Sequence, residues 1–118
     1  VKEIYICSPF RADDDVQFEK QLEYTKAVAR EVVLLGFDVV VPHLLYPRFL
    51  DADCEAEREL GLGLALNSLE KCDMVIVNTL YGISEGIKRE MAKAQELHVD
   101  IVIAKDVCDV KPLLKMVH

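Results

Sequence analysis

One short stretch combines residue types that can seat an anion with one that can attack an electrophile: Gly82–Ile83–Ser84–Glu85–Gly86–Ile87–Lys88–Arg89–Glu90. Ser84 can cap a helix beginning there, and Gly86 leaves the free backbone N–H groups of that helix end open to approach, which suits phosphate or another anion. The same residues also make an ordinary serine cap followed by a tolerated glycine. On a helical wheel Ile87, Met91 and Ala94 form the apolar stripe, and Glu90 lies at its edge beside Ala94 and Leu97. Partial withdrawal from water would raise the pKa of a carboxyl at that place, and the nearby helix start would lower it. A carboxylate under opposing influences in a cleft is a candidate for chemistry. The plainer alternative is a surface Glu–Lys helix pair.

Other candidates lie far from this stretch in sequence. Tyr5, Ser8 and Arg11 follow one another near the N-terminus. Arg11 can bind a phosphate through two parallel hydrogen bonds, or it can simply offset Asp13–Asp15. A tyrosine in a strand is usually core with its hydroxyl satisfied, so Tyr5 is readable either way. His43 follows the second strand and can contact a ligand, or it can be structural. The chain contains no glycine-rich phosphate loop, dinucleotide fingerprint, Ser–His–Asp arrangement or metal-ligand cluster. Cys7, Cys54, Cys72 and Cys108 lack the close spacing of a metal knuckle and read as packing residues or inert thiols.

These side chains must be positioned by alternating strands and helices. Ile4–Cys7 is an apolar run stopped by Ser8–Pro9 and predicts a buried strand. Asp13–Asp15 offers caps for a helix with Phe18, Leu22, Ala29 and Val32 near one face, ended by Gly36. Phe37–Val41 predicts a second strand, and His43–Asp51 an irregular loop. Leu60, Leu62, Leu64 and Leu66 alternate like a strand, yet 52–71 is read as helix, because two parallel strands need a crossover there. Leucines on several of its faces predict cover from more than one side, including a second subunit. Met74–Asn78, a helix from about Ser84 to Leu97, Ile101–Ala104 and a last short helix beginning at Pro112 complete the order.

Near-continuously apolar strands joined by helical crossovers indicate an α/β fold with a parallel sheet covered on both faces. In such sheets ligands bind beyond the carboxyl ends of the strands, near a topological switch point. That rule selects the loops 8–15, 42–51 and 79–86.

The whole chain bounds the function. Its 118 residues suit one domain, 1–118, with a real core, and 52% hydrophobic with 30% charged residues excludes disorder. A net charge of −7 argues against binding a nucleic acid polymer. No apolar run approaches a membrane span, and nothing resembles a signal peptide, so a cytoplasmic protein is expected.

The runs Ile4–Tyr5–Ile6–Cys7–Ser8–Pro9–Phe10–Arg11 and Ser84–Glu85–Gly86–Ile87–Lys88–Arg89–Glu90 resemble the nucleoside 2-deoxyribosyltransferase superfamily over about residues 3–104. The spacing is closest to its 2′-deoxynucleoside 5′-phosphate N-hydrolases. Pro42–Asp51 together with Ile83–Gly86 also looks like small uncharacterised bacterial and phage members of that superfamily.

The resemblance implies a flavodoxin-like three-layer sandwich with a four- to five-stranded parallel sheet, and a nucleotide or nucleoside substrate. Glu90 would attack C1′ of the sugar and displace the base, leaving a glycosyl ester for water or another base to resolve. Ser84 stands where the hydrolases place a serine that binds the 5′-phosphate, and Tyr5 and Arg11 match residues lining the pocket. No metal or cofactor is implied. A neighbouring subunit completes each site in the family, so a homodimer or higher homo-oligomer is expected.

One position departs. The family's second acid falls eight residues before Asp73, at Ala65, which cannot move a proton. Glu57, Glu59 and His43 are the available substitutes. Two functions therefore follow: an N-glycosidase or transferase, or a non-catalytic nucleotide-binding module on the same fold. A phosphoacceptor receiver is disfavoured, because Cys7–Ser8 ends the first strand where paired aspartates would be needed.

Overall fold

A computed structural model describes residues 3–8, 14–51 and 53–116. Four strands alternate with helices: β1 (Glu3–Cys7), α1 (Asp15–Leu34), β2 (Asp38–Val40), α2 (Glu55–Leu69), β3 (Met74–Asn78), α3 (Glu85–Glu96), β4 (Asp100–Ala104) and α4 (Val110–Met116). All strand pairs are parallel, in the order β2-β1-β3-β4. β1 and β3 are the central strands, which is why their sequences are apolar almost without interruption.

The order dictates the layers. The chain leaves β1 through α1 to reach β2 on one side, then crosses back through α2 to β3 on the other. With right-handed crossovers, α1 must lie on one face and α2 and α3 on the opposite face. α1 packs against α4, and α2 against α3. The strands' two-residue period sorts the core accordingly. Ile4, Ile6, Met74 and Ile76 join Val28, Val32 and Leu114 on the α1 side. Tyr5, Cys7, Val75 and Val77 join Ala65, Leu69, Ile87 and Ala94 on the α2–α3 side. The α/β three-layer sandwich expected from the sequence is the observed fold, with four strands.

Local chemistry sets the boundaries. Asp14 caps α1 by accepting from the Gln17 N–H at 2.8 Å, and Gly36, at φ 95°, turns the chain into β2 where a side chain would be strained. The inward face of α1 is carried by Gln21, Tyr24, Thr25, Val28, Ala29 and Val32, so Phe18 and Leu22 are only part-buried. The stretch after β2 is more ordered than a bare loop. Two 3₁₀ turns, Pro42–Leu44 and Tyr46–Arg48, each carry a proline at their start, where the missing N–H costs nothing. Pro112 falls two residues inside α4, after a 3₁₀ turn at Val107–Asp109 capped by Asp106.

α2 is helical despite its alternating leucines. Gly61, Leu62, Ala65 and Leu69 face inward, while Leu60 and Leu64, one turn apart, are 56% and 39% exposed. A helical period of 3.6 divides the leucines between two faces, so the outer pair makes an apolar stripe on the surface. Among the described residues, no helix is long and apolar enough to cross a membrane.

Candidate functional site

β1 and β3 are neighbours, and the helices that follow them, α1 and α3, lie on opposite faces of the sheet, so the switch point falls at the carboxyl ends of β1 and β3. Ser8 and Asn78 sit there. Both are buried, and the Asn78 Nδ2 donates to the Ser8 hydroxyl at 2.8 Å. The Tyr24 hydroxyl donates to Asn78 Oδ1 at 3.4 Å, so a short polar chain joins the two strand ends to α1.

On the opposite face of the sheet, α3 points Ile87, Glu90 and Ala94 inward. Glu90 is therefore in the middle of the buried stripe and not at its edge: it is 1% exposed. Its Oε2 accepts a hydrogen bond from the Tyr5 hydroxyl. Tyr5 and Cys7 are two residues apart in β1, so both side chains project from the same face. His43, in the 3₁₀ turn after β2, brings Nε2 to 4.0 Å from Glu90 Oε1, beyond hydrogen-bond range. Glu90 Oε1 has no hydrogen-bond partner among the described residues.

Burial decides the charge of this group. Loss of water raises the Glu90 pKa to about 8, against the opposing effects of the Tyr5 hydroxyl and the Cys7 thiol. The helix start is too weak to reverse this. Burial likewise lowers His43 to about 3, although a backbone hydrogen bond at Ile6 opposes the shift. The imidazole is thus neutral at neutral pH and is a poor proton donor. Tyr5 is pushed far upward by burial and by the charge of Glu90, so its phenol remains protonated and donates.

A second feature lies beside this cluster. An open cleft of about 360 Å³ between α2 and the first turn of α3 is lined by Arg58, Glu59, Leu62, Ser84, Glu85, Gly86 and Arg89. Gly82, at φ 88°, turns the chain into this helix, and Ser84 caps it by accepting from the Ile87 N–H at 3.2 Å. At Gly86 an added Cβ would meet only the Ser84 hydroxyl, at 3.8 Å. Packing therefore does not demand the glycine. Arg89 Nη1 donates to both carboxylate oxygens of Glu59, at 3.0 and 2.9 Å. Glu90 does not line the cleft.

The sequence candidates thus fall into three places. Tyr5, His43 and Glu90 meet in the buried cluster, Ser84 and Gly86 share the cleft, and Ser8 joins Asn78 at the strand ends. Arg11 lies outside the described residues. Ala65 is buried beside Leu69 and Cys72, with Tyr5 in the same cluster. Of its potential substitutes, Glu57 accepts from the Asp51 N–H at 3.1 Å, Glu59 is engaged by Arg89, and His43 alone is next to Glu90. Sequence reasoning did not single out Asn78, Arg58 or the Arg89–Glu59 pair. Cys7 was read as a packing residue or inert thiol, and it is fully buried in the core beside Tyr5. Among the described residues no three His, Cys, Asp or Glu side chains are grouped to hold a metal ion.

Ser84→Ala is expected to lower stability by about 1 kcal/mol through loss of the cap, measured as a shift in the urea midpoint without a change in slope.

The comparisons with known proteins agree with this architecture. A solved structure of 2-deoxyribosyltransferase from the psychrotolerant bacterium Bacillus psychrosaccharolyticus matches with TM-score 0.62 and 17% identity, over 86% of this chain and 70% of that one. At such identity the likeness establishes a shared fold. No curated protein sequence matches the chain. The family profile described as "Domain of unknown function (DUF7768)" matches residues 2–104, and the chain belongs to that family.

Proposed function

We propose that this protein cleaves or transfers the base of a nucleoside or deoxynucleoside 5′-monophosphate, with Glu90 as nucleophile. The observation that carries the reading is the state of the Glu90 carboxyl: buried, fixed through one oxygen by Tyr5, and without a hydrogen-bond partner at the other among the described residues. The arrangement suits a nucleophilic carboxylate, since one oxygen is held while the other makes no hydrogen bond that attack would have to break. Ionised Glu90 attacks C1′, the bond to the base breaks, and the glycosyl ester is resolved by water or an acceptor base. Ser84, Gly86 and the basic side chains of the neighbouring cleft are the proposed seat for the phosphate, with Arg11 and Ser8 assigned to the sugar-phosphate side.

The reading involves no metal or cofactor and a cytoplasmic setting, and a second copy of the chain is the proposed cover for Leu60 and Leu64. Incubation of the protein with a panel of nucleoside and deoxynucleoside monophosphates, followed by chromatography for free base, tests it. Release from at least one member is expected, and no release from any would end the enzymatic reading.

A binding-only function is favoured by a separate observation. Ala65 is sealed in the core and His43 is neutral, so among the described residues neither the family's acidic position nor the histidine beside Glu90 supplies an acid for the leaving base. General acid assistance is commonly worth about 10²- to 10⁴-fold. On this reading a nucleotide raises the melting temperature with no base released. The absence of any shift across the same panel would remove it.

A further inference from the structure

We propose that Arg89 takes the anionic group of the substrate, and that Glu59 is an internal carboxylate that occupies its guanidinium until a phosphate displaces it. This assignment rests on the reading of the cleft as the phosphate seat, and it names the residue that recognises the phosphate and the one that sets its affinity. Both side chains line the cleft, Glu59 from α2 and Arg89 from α3. Gly86 and Arg89 are three apart on α3 and share a helix face, so the guanidinium and the open first turn lie along one side of the cleft. Glu90 is next in sequence and turns about 100° away, into the core. One turn of α3 thus presents a cation to the cleft and an acid to the sheet.

The contact already in place is an anion contact, and an incomplete one. Arg89 reaches both Glu59 oxygens through the single nitrogen Nη1, at 3.0 and 2.9 Å. A phosphate can meet a guanidinium with two parallel bonds from two nitrogens, which is a stronger arrangement. Its dianion also carries up to twice the charge of a carboxylate. Both members of the pair are half-exposed, and an exposed ion pair of this kind is weak. The exchange therefore costs little, and the displaced Glu59 carboxylate returns to water.

The rest of the cleft does not resist this exchange. Glu85, the other acid lining it, is met by Lys88 at 3.3 Å. α2 and α3 stay joined without the Arg89 pair, since Lys93 lies 3.5 Å from Glu70 and Ala65, Leu69, Ile87 and Ala94 share one apolar cluster. Glu59 thereby acts on selection. A neutral nucleoside offers nothing to take its place on Arg89, whereas a monophosphate does, so the pair makes the phosphate a condition of tight binding.

Equilibrium binding tests the assignment. Calorimetric titrations with inorganic phosphate, the common deoxynucleoside 5′-monophosphates and their nucleosides are made in the Glu90→Gln background, so that no base is released. Glu59→Gln removes both the competing anion and a like charge near the phosphate, and should tighten binding of phosphate and the monophosphates by about threefold or more. Nucleoside binding should not change. Arg89→Gln should weaken the monophosphates by about tenfold or more. Unchanged or weaker binding in Glu59→Gln overturns the proposal, because a carboxylate that merely orients Arg89 would help and not compete. Equal tightening for nucleosides, unchanged binding in Arg89→Gln, or no binding of any phosphate probe overturns it as well. Base release by the wild type with these affinities unmoved would sink the Arg89 assignment and leave the enzymatic reading standing. Affinities that move as stated, with no base released by the wild type, support the assignment and end the enzymatic reading.

Discussion

Glu90→Ala is expected to lose base release by about 10³-fold or more while still binding the nucleotide. Removing a covalent nucleophile eliminates the path itself, whereas removing one binding contact weakens it by far less. Binding should survive because the proposed phosphate seat is at the start of α3, and Glu90 does not line that cleft. The pH dependence carries the same signature. Attack requires the ionised carboxyl, and Glu90 is raised to about 8 by burial. In the wild type kcat/KM should therefore rise with pH up to about 8 and level off above it, since that ratio reports the free enzyme. Tyr5→Phe removes the donor that favours the anion, so the rising limb should move to higher pH. Steady-state rates across pH for the three proteins check these outcomes. Retained release in Glu90→Ala would exclude it as nucleophile.

The second large effect is on stability. Glu90 has an ordinary value of 4.5 when exposed and about 8 in the fold. Between these values the folded chain holds a proton that the unfolded chain has lost, so stability falls as pH rises through that window. His43 acts in the opposite direction over a lower range. Its fall from 6.5 to about 3 makes stability rise with pH between those limits. The two contributions oppose one another between 4.5 and 6.5, and above 6.5 the Glu90 loss stands alone.

Glu90→Gln keeps the size of the side chain and removes its charge. The variant should match the wild type near pH 4 and exceed it by a few kcal/mol above pH 8, which corresponds to about 5 °C or more in Tm. Since His43 is common to both proteins, the difference isolates Glu90. Thermal unfolding at several pH values measures it, and a difference independent of pH would show that the carboxyl is not held neutral. A variant more stable than the wild type but inactive is the pattern expected when a buried acid is kept for chemistry.

The reasons some of this was legible in sequence and some was not are physical. Ile4–Cys7 and Met74–Asn78 were readable because central strands of a covered parallel sheet are apolar on both faces. Ser84 was readable as a cap because an N-cap depends on residues three apart. α2 was harder, since alternation in Leu60–Leu66 mimics a strand. The need for a crossover between β2 and β3, and acidic Glu55, Glu57 and Glu59 suited to a helix's first turns, select helix.

The depth of Glu90 was not legible. A helical wheel places it at a stripe edge, and what draws it inward is Tyr5, 85 residues away. His43 approaches it for the same long-range reason, from the turn after β2. Asn78 gave no signal, being the last residue of an apolar strand, and the Arg89–Glu59 pair depends on how α2 and α3 cross.

The central claim is that Glu90 bonds to the sugar carbon, and the most direct measurement is the mass of the protein after rapid acid quenching during turnover of a nucleoside monophosphate. An added sugar phosphate is expected that maps by peptide digestion to Glu90 and is absent from Glu90→Gln. Base release with no adduct, or with an adduct on another residue, would contradict it.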